Sequence, residues 1–583
     1  SLGLPSQKTV RAQAARIFLD GHFEEWDDLA PIHTDPAADS PAGAIDLTRL
    51  WIANDETRLY LRFELGLEIL IQEGNQLTLH LDTDGNPATG IPVHGIGAEL
   101  SWAFGQRGGV FRSGSASVQI PHTPLGMVTA PTVSGAVFEV SLDRNALPDG
   151  QTPLFAEDTF QLVLEDLSGG DVLPDAGTAV SYTFQSTGTL PPPPTVSMAR
   201  QNPSDIRVLS YNVERDGVFT APRTDSFNRL LRAIDPDIIG FQEISSHSAA
   251  QTLTLVETAL PSQPGQNWHA ARIEPDLVVV SRYPVRQSFS IPGGRSGDAN
   301  SAFLLDLRSQ WGTDLLLLVA HPPCCRNDAD RQLDFDAMMA FVRDAKQPGC
   351  LELPDRSPII IVGDMNMVGL RRQLTTLLEG DIVNTSLFGQ ALGPDWDDSP
   401  LADLAPAHVA LPMNYTWYNE SSSFHPGRLD FIVYTDSVLE PGSNYVLFTP
   451  PMDPATLNAL GLEAGDATMA SDHLPVVGDF RYAVGTEIGR NDTRLPVSYS
   501  LDANYPNPFR ASTRITYAVP SDQHVRLTVY DSLGRRVTTL VDAQKTAGRH
   551  TVIGEAAGEP SGAYYYRLDG AGRTGLRAML LIR

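Results

Sequence analysis

Apolar and polar residues alternate with a period of two near both ends of the chain, in short runs bounded by turn-forming residues. This pattern is typical of strands with one buried face. In residues 1–186 the runs are 47–53, 58–64, 76–81, 138–142 and 160–164, and in residues 498–583 the clearest are 524–531 and 561–568. We therefore predict an all-β sandwich domain at each end of the chain.

The middle of the chain has a different pattern, in which continuous apolar runs of strand length alternate with helical segments. Strands are predicted at 206–211, 238–243, 277–281, 303–307, 315–321, 359–364, 431–434 and 476–480, and helices at 226–234, 249–260 and 331–346. Such alternation predicts an α+β domain with two stacked sheets between helices, a four-layer α/β/β/α sandwich. Functional residues are expected at its strand ends and loops.

Two polar segments separate these parts. Residues 187–204 are rich in Ser, Thr and Pro and include four consecutive prolines, which predicts an extended spacer. Residues 485–497 form a second linker. A chain of 583 residues is too long for one core. We predict domains at 1–186, 205–484 and 498–583.

Composition and charge exclude some classes of protein. Hydrophobic residues make up 42% and charged residues 19%, as in globular proteins. No apolar run reaches the roughly 18 residues that span a bilayer, so we expect no transmembrane segment. A net charge of −28 argues against sequence-specific nucleic-acid binding, which needs a basic surface. It still permits a nuclease, because bound cations and local Arg residues can offset charge at a cleft.

Cys324, Cys325 and Cys350 are the only cysteines, too few for a disulfide framework. In an oxidising compartment, one of the adjacent pair could bridge to Cys350 and leave one thiol free. A zinc site would need further ligands nearby, and the sequence shows none.

Six strand-like runs in the central part each end in a polar group that can bind metal or phosphate. These ends are Ser210-Tyr211-Asn212, Gly240-Phe241-Gln242-Glu243, Val319-Ala320-His321, Gly363-Asp364-Met365-Asn366, Arg428-Leu429-Asp430 and Ser471-Asp472-His473. Clustered oxygen ligands, a base and an imidazole are what metal-dependent phosphoester hydrolysis requires. Each residue alone could equally be a helix cap or a turn former. Their joint occurrence favours a catalytic site.

The metal ligands follow from this chemistry. Glu243 is the expected carboxylate ligand, and Asn212 and Asp472 would complete or orient the coordination sphere. Mg²⁺ is the expected ion, and Mn²⁺ or Ca²⁺ could substitute, because all three prefer oxygen ligands.

The remaining residues would act on water and phosphate. Asp364 is placed to take a proton from the attacking water, and Asn366 to hold that water or a phosphate oxygen. His473 would contact the phosphate, with Asp430 fixing its tautomer. His321 would stabilise charge or protonate the leaving oxygen. Arg326 and Arg331 could bind a phosphate or could simply be exposed to solvent.

Together and in this order, the six segments resemble the endonuclease/exonuclease/phosphatase superfamily. The resemblance implies a phosphoester hydrolase. The Asp364-Met365-Asn366 and Arg428-Leu429-Asp430-Phe431 strings look most like the nuclease branch, although sphingomyelinases carry nearly the same strings. The inositol phosphatases are disfavoured, because Phe424-His425-Pro426-Gly427 replaces their Trp-Cys-Asp-Arg element. Abasic-site enzymes usually place Tyr where this chain has His321.

The N-terminal part resembles family 9 carbohydrate-binding modules and DOMON-type sandwiches. Leu19-Asp20-Gly21, Glu25-Trp26 and Trp51-Ile52-Ala53-Asn54-Asp55 carry this resemblance, which implies a glycan partner stacked on aromatic groups such as Trp51 or Trp102. The segment Asp82-Thr83-Asp84-Gly85-Asn86 could hold a structural Ca²⁺ through Asp82, Asp84 and Asn86. A tight Asp-Gly hairpin turn is the alternative interpretation.

Residues 498–583 resemble the C-terminal sorting domains of the type IX secretion system, through Tyr505-Pro506-Asn507-Pro508-Phe509, Leu533-Gly534-Arg535-Arg536-Val537 and the final Met579-Leu580-Leu581-Ile582-Arg583. The resemblance implies interaction with that secretion machinery and a secreted or outer-membrane surface location. No charged-then-apolar leader opens the chain at Ser1, so we expect that a signal peptide was removed or the sequence trimmed.

Three hypotheses follow. The first is a secreted Mg²⁺-dependent nuclease or phosphodiesterase acting on nucleic acid without sequence specificity. The second is a sphingomyelinase-like phospholipid phosphodiesterase, which would need an exposed aromatic hairpin near the cleft. The third is a non-catalytic surface protein that binds glycan.

Overall fold

The computed structural model describes two stretches of the chain. The first is residues 14–483 without 38, 42, 176, 189, 191–195, 294–299, 348–350 and 352, and the second is residues 500–581 without 502–503, 505–511, 520–521, 533, 547, 556–559 and 571–572. Residues 1–484 form one compact unit and residues 485–583 form another. The proline run, the whole second linker, Cys350 and the segment 505–509 lie outside the described residues.

The described residues of the N-terminal part form strands and three single-turn 3₁₀ helices, at Glu24–Trp26, Phe104–Gln106 and Thr123–Leu125. Its strands are β1 His33–Thr34, β2 Leu47–Asn54, β3 Arg58–Ile69, β4 Leu77–Asp82, β5 Ile91–Val93, β6 Ile96–Ala98, β7 Leu100–Ala103, β8 Gly108–Ser113, β9 Ala116–Ile120, β10 Val128–Ala130, β11 Gly135–Asp143, β12 Thr159–Asp166, β13 Val172–Leu173 and β14 Val180–Thr183.

These strands form two main sheets that share one core. The first has the order β1-β2-β3-β11-β10, and the second has the order β13-β12-β4-β7-β8-β9, with β14 paired to β12. Leu50, Phe63 and Phe138 of the first sheet pack in one cluster with Leu79 and Trp102 of the second. We call this part, residues 14–186, the N-terminal sandwich. Trp51 and Trp102 are 5% and 0% exposed, so neither presents an open face to a sugar.

The first sheet of the N-terminal sandwich is buried on both of its faces. In β2, Leu50 and Ile52 point into the sandwich core, whereas Trp51 and Ala53 belong to a second cluster that continues into the central domain. Alternate residues of a strand point to opposite faces. The N-terminal sandwich therefore packs its outer face on the central domain instead of exposing it to solvent.

The central domain, residues 205–483, contains twelve strands and eight α-helices among its described residues, with one 3₁₀ turn at Gly217–Phe219. The strands are β15 Ile206–Asn212, β16 Ile238–Ile244, β17 His269–Ala271, β18 Asp276–Ser281, β19 Val285–Ser290, β20 Asn300–Leu305, β21 Leu315–Ala320, β22 Ile359–Asp364, β23 Ala402–Asp403, β24 Asp430–Tyr434, β25 Leu439–Val446 and β26 Val476–Tyr482. The helices are α1 Arg223–Ile234, α2 Ala249–Ala259, α3 Arg308–Trp311, α4 Asp328–Ala345, α5 Arg371–Glu379, α6 Thr385–Phe388, α7 Pro454–Leu460 and α8 Asp466–Ala470.

Two six-stranded sheets organise this domain, in the orders β17-β18-β16-β15-β26-β25 and β19-β20-β21-β22-β24-β23. Each sheet contains one parallel pair, β15 with β16 and β21 with β22. Parallel neighbours need a crossover connection. The helices α1 and α4 lie within the two crossovers.

Three apolar clusters hold the domain together. Val208 and Val279 of the first sheet pack with Leu317 and Ile360 of the second, which joins the sheets face to face. The helices α1 and α2 cover the outer face of the first sheet, and α4 and α5 contribute to the cluster on the outer face of the second. Continuous runs such as Leu315 to Ala320 are buried at every position, as expected of strands covered on both faces.

The C-terminal unit contains seven strands in its described residues, β27 Ser500–Leu501, β28 Ser512–Val519, β29 Gln523–Asp531, β30 Arg536–Lys545, β31 Gly548–Glu555, β32 Gly562–Gly570 and β33 Arg573–Leu581. They form a three-stranded sheet, β27-β28-β31, and a four-stranded sheet, β30-β29-β32-β33. Ile515 and Tyr517 of the first sheet pack with Leu527 and Tyr566 of the second. In the part of the chain that the structure describes, no helix has the length and apolarity to cross a membrane.

Candidate active site

Strand pairing brings the ends of the predicted strands to one place. Asn212 ends β15 beside Gln242 of the parallel strand β16, and Ala320 ends β21 beside Gly363 of β22. In the antiparallel pair, Asp364 at the end of β22 lies opposite Asp430 at the start of β24. Because the two sheets are stacked, these ends meet at one edge of the domain.

A cavity of about 1110 Å³ opens at this edge. Six of the predicted site residues line it, namely Glu243, His321, Asp364, Asn366, Asp472 and His473. Asn212 and Asp430 lie behind them and are 0% and 1% exposed. The structure therefore brings the eight predicted metal and catalytic residues together, six at the cavity wall and two as buried support.

Two histidine–aspartate pairs converge on Asp364. His473 Nδ1 lies 2.8 Å from Asp430 Oδ2, and His321 Nδ1 lies 2.6 Å from Asp276 Oδ2. The opposite nitrogens, His473 Nε2 and His321 Nε2, lie 3.5 and 3.4 Å from the same oxygen, Asp364 Oδ2. Each imidazole is thus oriented by one carboxylate and directed at another.

The charges of this group are set by mutual proximity. Burial disfavours the imidazolium of His473, but the carboxylates of Asp430 and Asp364 outweigh it and raise the pKa of His473 to about 10. Burial likewise opposes the charge of His321, but Asp276 and Asp364 hold its pKa well above the usual value. Burial would raise the pKa of Asp364, but His473 and His321 lower it. At neutral pH the site holds an ionised Asp364 between two imidazolium groups.

Asn212 and Glu243 form the second half of the site. Asn212 Nδ2 donates to Glu243 Oε1 and to Asp364 Oδ2, each at 3.1 Å. Glu243 Oε2 accepts from the backbone N–H of Arg215 at 2.8 Å. Glu243 has a φ of 62° at an irregularity of β16, where the pairing with β18 shifts between Phe241 and Ile244. Such positive φ values in non-Gly residues are uncommon, and here the bulge directs the carboxylate into the cavity.

Asn366 and Asp364 form a local turn after β22. The backbone N–H of Asn366, which has a φ of 47°, donates to Asp364 Oδ1 at 3.0 Å, and Asn366 Nδ2 donates to the carbonyl of Pro322 at 2.9 Å. Gly363 permits close approach here, because a Cβ at this position would lie 2.0 Å from the carbonyl oxygen of Ala320. The turn therefore fixes both functional side chains relative to the strand that precedes His321.

Three supporting residues were not predicted from the sequence. Asp276 orients His321, as described above. Thr416 Oγ1 donates to Asp430 Oδ2 at 2.7 Å, and Trp417 Nε1 donates to Asp472 Oδ2 at 3.1 Å. Asp276 directly precedes the buried run Leu277 to Val280, so a polar residue at a strand end was the available signal. Thr416 and Trp417 lie outside regular structure, and no sequence pattern marked them.

The cavity wall fits a hard divalent cation at Glu243. This carboxylate is 24% exposed at the cavity and has Asp364 and Asp472 as neighbours in the wall. Asn212 presents its amide nitrogen to these carboxylates, so in this conformation it holds the ligands in place. Asp364, Asp430 and His473 also offer ligand atoms within 4.8 Å of one another. Their hydrogen bonds and burial make that group a proton-holding cluster, and Glu243 remains the open oxygen donor.

The two arginines have different environments. Arg331 is 0% exposed, and its guanidinium donates to Gln373 Oε1, Asp328 Oδ1 and the carbonyls of Pro323 and Cys325. The prediction of a phosphate contact is wrong for Arg331, because its donors are used inside the protein to fix the 322–327 loop. Arg326 has a side chain that is 85% exposed and lies 3.4 Å from Glu73.

The cysteine prediction also needs correction. Cys324 and Cys325 form a disulfide bond with each other, so neither bridges to Cys350. Both line the cavity directly after the His321 segment. The adjacent pair therefore belongs to the wall of the site.

The central domain is similar to proteins of a known family. Residues 209–473 match the model of the Endonuclease/Exonuclease/phosphatase family. ANGEL2, a 2′,3′-cyclic phosphatase, is 14% identical over 47% of this chain and 95% of its own, with a TM-score of 0.33. AP endonuclease LMAP from Leishmania major is 14% identical over 50% of this chain and 93% of its own, with a TM-score of 0.29. The catalytic domain of Xenopus laevis APE2 is 13% identical over 48% and 94%, with a TM-score of 0.28.

No curated protein sequence matches the chain. The family match begins within β15 and ends at His473, so it includes all six predicted segments. The similarity of this chain to the endonuclease/exonuclease/phosphatase family therefore lies in residues 209–473.

Proposed function

We propose that the protein is a secreted or cell-surface phosphodiesterase that depends on a divalent metal, Mg²⁺ in the first place, and cleaves nucleic acid without sequence specificity. The observation that carries this proposal is the convergence of two histidine–aspartate pairs on Asp364 beside Glu243. Phosphodiester hydrolysis needs a base for water, positive charge for the phosphate and an acid for the leaving oxygen. The cavity offers all three.

In this mechanism Glu243 and Asp472 would hold the cation, and Asn212 would keep Glu243 in position. When bound, the cation supplies charge that offsets the repulsion between a phosphodiester and its nucleophile. Asp364 is ionised and accepts a proton from the attacking water, whose oxygen forms the new bond to phosphorus. Asn366 orients that water or a phosphate oxygen.

The two imidazolium groups act on the phosphate and on the leaving group. His473, oriented by Asp430, donates a hydrogen bond to a non-bridging oxygen. His321, oriented by Asp276, gives its proton to the leaving oxygen as the P–O bond breaks. The proton taken by Asp364 and the proton given by His321 balance the hydrolysis. The geometry allows the two imidazoles to exchange these roles.

A substrate panel tests the proposal. The full chain with Mg²⁺ should hydrolyse bis(p-nitrophenyl) phosphate and an oligonucleotide faster than sphingomyelin or a phosphomonoester. Faster turnover of sphingomyelin would identify a phospholipid phosphodiesterase instead. Phe424 favours this second candidate, because its ring lines the cavity and is 38% exposed. Absence of metal-dependent hydrolysis of every substrate would contradict the whole proposal.

We propose that residues 498–583 direct export through the type IX secretion system. The support is the sequence resemblance of this segment together with its independent compact unit of strands. Deleting residues 490–583 should leave the protein in the cell, as measured by fractionation. Unchanged surface display of the truncated chain would contradict this role.

We also propose a structural Ca²⁺ site in the N-terminal sandwich, with Glu99 in place of Asn86. Asp82, Asp84 and Glu99 offer oxygen atoms that all lie within 4.8 Å of one another. Glu99 is 8% exposed, and its Oε1 atom is buried without a hydrogen-bond partner in the described structure. Such an unsatisfied buried oxygen is costly and points to a bound cation.

Electrostatics support this assignment. Burial, and then the nearby carboxylates of Asp84 and Asp82, raise the pKa of Glu99. The side-chain oxygen of Asn86 is engaged elsewhere, because it accepts from the backbone N–H of Ala88 at 3.1 Å. The cluster therefore consists of three carboxylates, which suits Ca²⁺.

Calcium should accordingly raise the thermal unfolding midpoint of the protein, and excess EGTA should reverse the shift. Glu99→Gln should abolish the shift, whereas Asn86→Ala should retain it. Differential scanning calorimetry with and without Ca²⁺ measures both variants. An equal shift in Glu99→Gln and in the unmodified chain would contradict the site.

A further inference from the structure

The N-terminal sandwich contributes directly to the cavity of the central domain. Leu70, Gln72 and Glu73, from the loop between β3 and β4, line the same cavity as Glu243 and His473, as does Thr132 from the segment after β10. We call residues 70–76 the wall loop. The Pro-rich segment 187–204 predicted an extended spacer that separates the N-terminal domain from the catalytic domain. The structure instead places part of this sandwich at the catalytic edge.

Hydrogen bonds fix the conformation of the wall loop. Asn75 Nδ2 donates to the carbonyls of Leu70, Ile71 and Glu73 at 2.7, 2.8 and 3.3 Å. Arg107 donates to the carbonyl of Gln72 at 2.7 Å. A loop whose backbone carbonyls are satisfied in this way is a preorganised surface and does not need to order on binding.

The wall loop and its neighbours also hold a loop of the central domain, residues 419–427, which we call the clamped loop. The backbone N–H of His425 donates to Gln72 Oε1 at 2.8 Å, and its Nδ1 lies 3.1 Å from Thr129 Oγ1. The His425 ring is 1% exposed and lies 5.5 Å from Trp102 and 5.3 Å from His122. The His425 side chain therefore forms a buried contact between the N-terminal sandwich and the central domain.

Arg107 provides a second clamp. Its guanidinium lies 4.1 Å from the centre of the Phe424 ring, and its Nε donates to Ser423 Oγ at 3.2 Å. Phe424 is a wall residue of the cavity. A cation over an aromatic face contributes about 0.5 to 2 kcal/mol, depending on solvation. Arg107 thus sets the position of an aromatic side chain that faces the substrate.

The clamped loop also contacts the residues that support the catalytic side chains. Gly427 pairs with Trp417, whose indole N–H holds Asp472. The backbone N–H of Thr416 donates to Gly427 at 3.0 Å, and its hydroxyl holds Asp430. The N-terminal sandwich therefore contacts the clamped loop, and the clamped loop contacts Thr416 and Trp417, the two residues that support the Asp472-His473 segment.

The charge of the cavity defines which substrates fit. Its described lining contains the seven carboxylates of Glu73, Glu214, Glu243, Asp276, Asp334, Asp364 and Asp472, which outnumber the cations of Arg215 and of the imidazolium groups of His321 and His473. A duplex carries one negative charge per roughly 1.7 Å and is normally bound through several Lys and Arg contacts to its phosphates. An acidic wall beside the catalytic edge instead suits a substrate that presents one phosphodiester on a narrow scaffold.

We propose that the wall loop of the N-terminal sandwich is a specificity-determining part of the active site, and that it restricts the substrate to single-stranded oligonucleotides by excluding duplexes. This inference rests on the phosphodiesterase function proposed above. The wall loop lines one side of the cleft and leaves less room there for a second strand, and Arg107, which also pairs with Glu73 at 3.4 Å, positions Phe424 to stack on an unpaired base.

The test compares one oligonucleotide as a single strand and as a duplex, with bis(p-nitrophenyl) phosphate as the reference substrate. The full chain in Mg²⁺ should cleave the single strand with a kcat/KM about 100-fold above that of the duplex. Equal values for single strand and duplex, with normal hydrolysis of the reference substrate, would overturn this inference and leave the phosphodiesterase proposal intact. Absence of hydrolysis of the reference substrate would instead reject the phosphodiesterase proposal.

Substitutions test whether the wall loop causes the discrimination between single strand and duplex. Glu73→Gln should raise kcat/KM for the duplex about 10-fold, because it frees the guanidinium groups of Arg107 and Arg326, each 3.4 Å from Glu73, to contact a second phosphate backbone. Arg107→Ala should raise KM for the single strand about 10-fold, and Arg107→Lys should recover part of the loss through its remaining cation. Arg112→Ala is the matched control, because that guanidinium donates to the carbonyl of Gly90 within the sandwich. If Glu73→Gln and Arg107→Ala both behave like this control, the wall loop does not determine specificity.

Discussion

At the residue scale, the site is organised around one oxygen atom, Asp364 Oδ2. It accepts a hydrogen bond from Asn212 and lies within 3.5 Å of two imidazole nitrogens. Each imidazole has a carboxylate at its other nitrogen. This arrangement keeps Asp364 ionised at a depth where an isolated carboxylate would be protonated.

We predict that Asp364→Asn and His473→Ala each lower kcat about 100-fold or more, because each removes a positioned base or charge stabiliser. The measurement is steady-state hydrolysis of bis(p-nitrophenyl) phosphate in Mg²⁺. Asp381→Asn serves as the control, since Asp381 pairs with Arg372 at the surface, 3.1 Å away. Rates near that of the control would contradict the assigned roles.

Asp276→Asn is predicted to lower kcat about 10- to 100-fold, because an amide orients the His321 ring but does not favour its charged form. The pH–rate profile distinguishes this positioning role from a general structural one. Loss of the acid should move the basic limb of the profile to lower pH, whereas a purely structural defect should lower the rate at all pH values alike. An unchanged kcat and profile would contradict the role of Asp276.

The sequence predicted which residues form the site better than it predicted what surrounds each of them. The six segments were found from polar groups at strand ends, and eight of the predicted residues meet at one edge. Asp276 was missed, because an acidic residue before a strand is also a common turn former. For Arg331 the sequence left a phosphate contact and surface solvation open, because it does not show burial, and the structure places the side chain at 0% exposure among protein acceptors.

At the element scale, strand periodicity was informative where one face is buried and insufficient where both are. The strands 206–211 and 359–364 were predicted within one residue of β15 and β22. In β2, the run Leu50-Trp51-Ile52-Ala53 interrupts the alternation, and the structure explains it by a second buried face. The same run could therefore have indicated a partner surface for the N-terminal sandwich.

The segment between β23 and β24 contains a pH-sensitive element. His408 is 1% exposed, and its Nε2 lies 2.6 Å from the carbonyl of Tyr415. Burial lowers the pKa of His408 to about 4. The folded form therefore holds a neutral ring, whereas the unfolded chain is protonated below a pKa of about 6.5.

The contribution of neutral His408 to the stability of the fold is accordingly complete above pH 6.5 and is lost as pH falls toward 4. Protonation of this histidine in the unfolded chain should by itself lower the free energy of unfolding by about 2 kcal/mol between pH 7 and pH 5. His408→Leu should show a smaller decrease in thermal unfolding midpoint over this range than the unmodified chain, and the control His524→Gln should not. Identical pH dependence of His408→Leu and the unmodified chain would contradict this account.

At the scale of the whole molecule, the chain combines parts that sequence patterns treat as separate. Gln72 and His425 are 353 residues apart in sequence yet join the N-terminal sandwich to the clamped loop. No local pattern encodes such a contact, because hydrophobic periodicity reports which face is buried and not what covers it. The change from strand patterns to alternating strands and helices was readable from the sequence, and the shared cavity within the compact unit 1–484 was not.

The central claim is that a divalent cation held at Glu243 enables hydrolysis of a phosphodiester. The most direct measurement is the rate of bis(p-nitrophenyl) phosphate hydrolysis by the full chain in excess EDTA and after Mg²⁺ is restored, with Glu243→Gln in parallel. We predict that EDTA abolishes turnover, that Mg²⁺ restores it, and that Glu243→Gln requires a much higher Mg²⁺ concentration for half-maximal activity. Undiminished turnover in EDTA, or an unchanged Mg²⁺ requirement in Glu243→Gln, would contradict the claim.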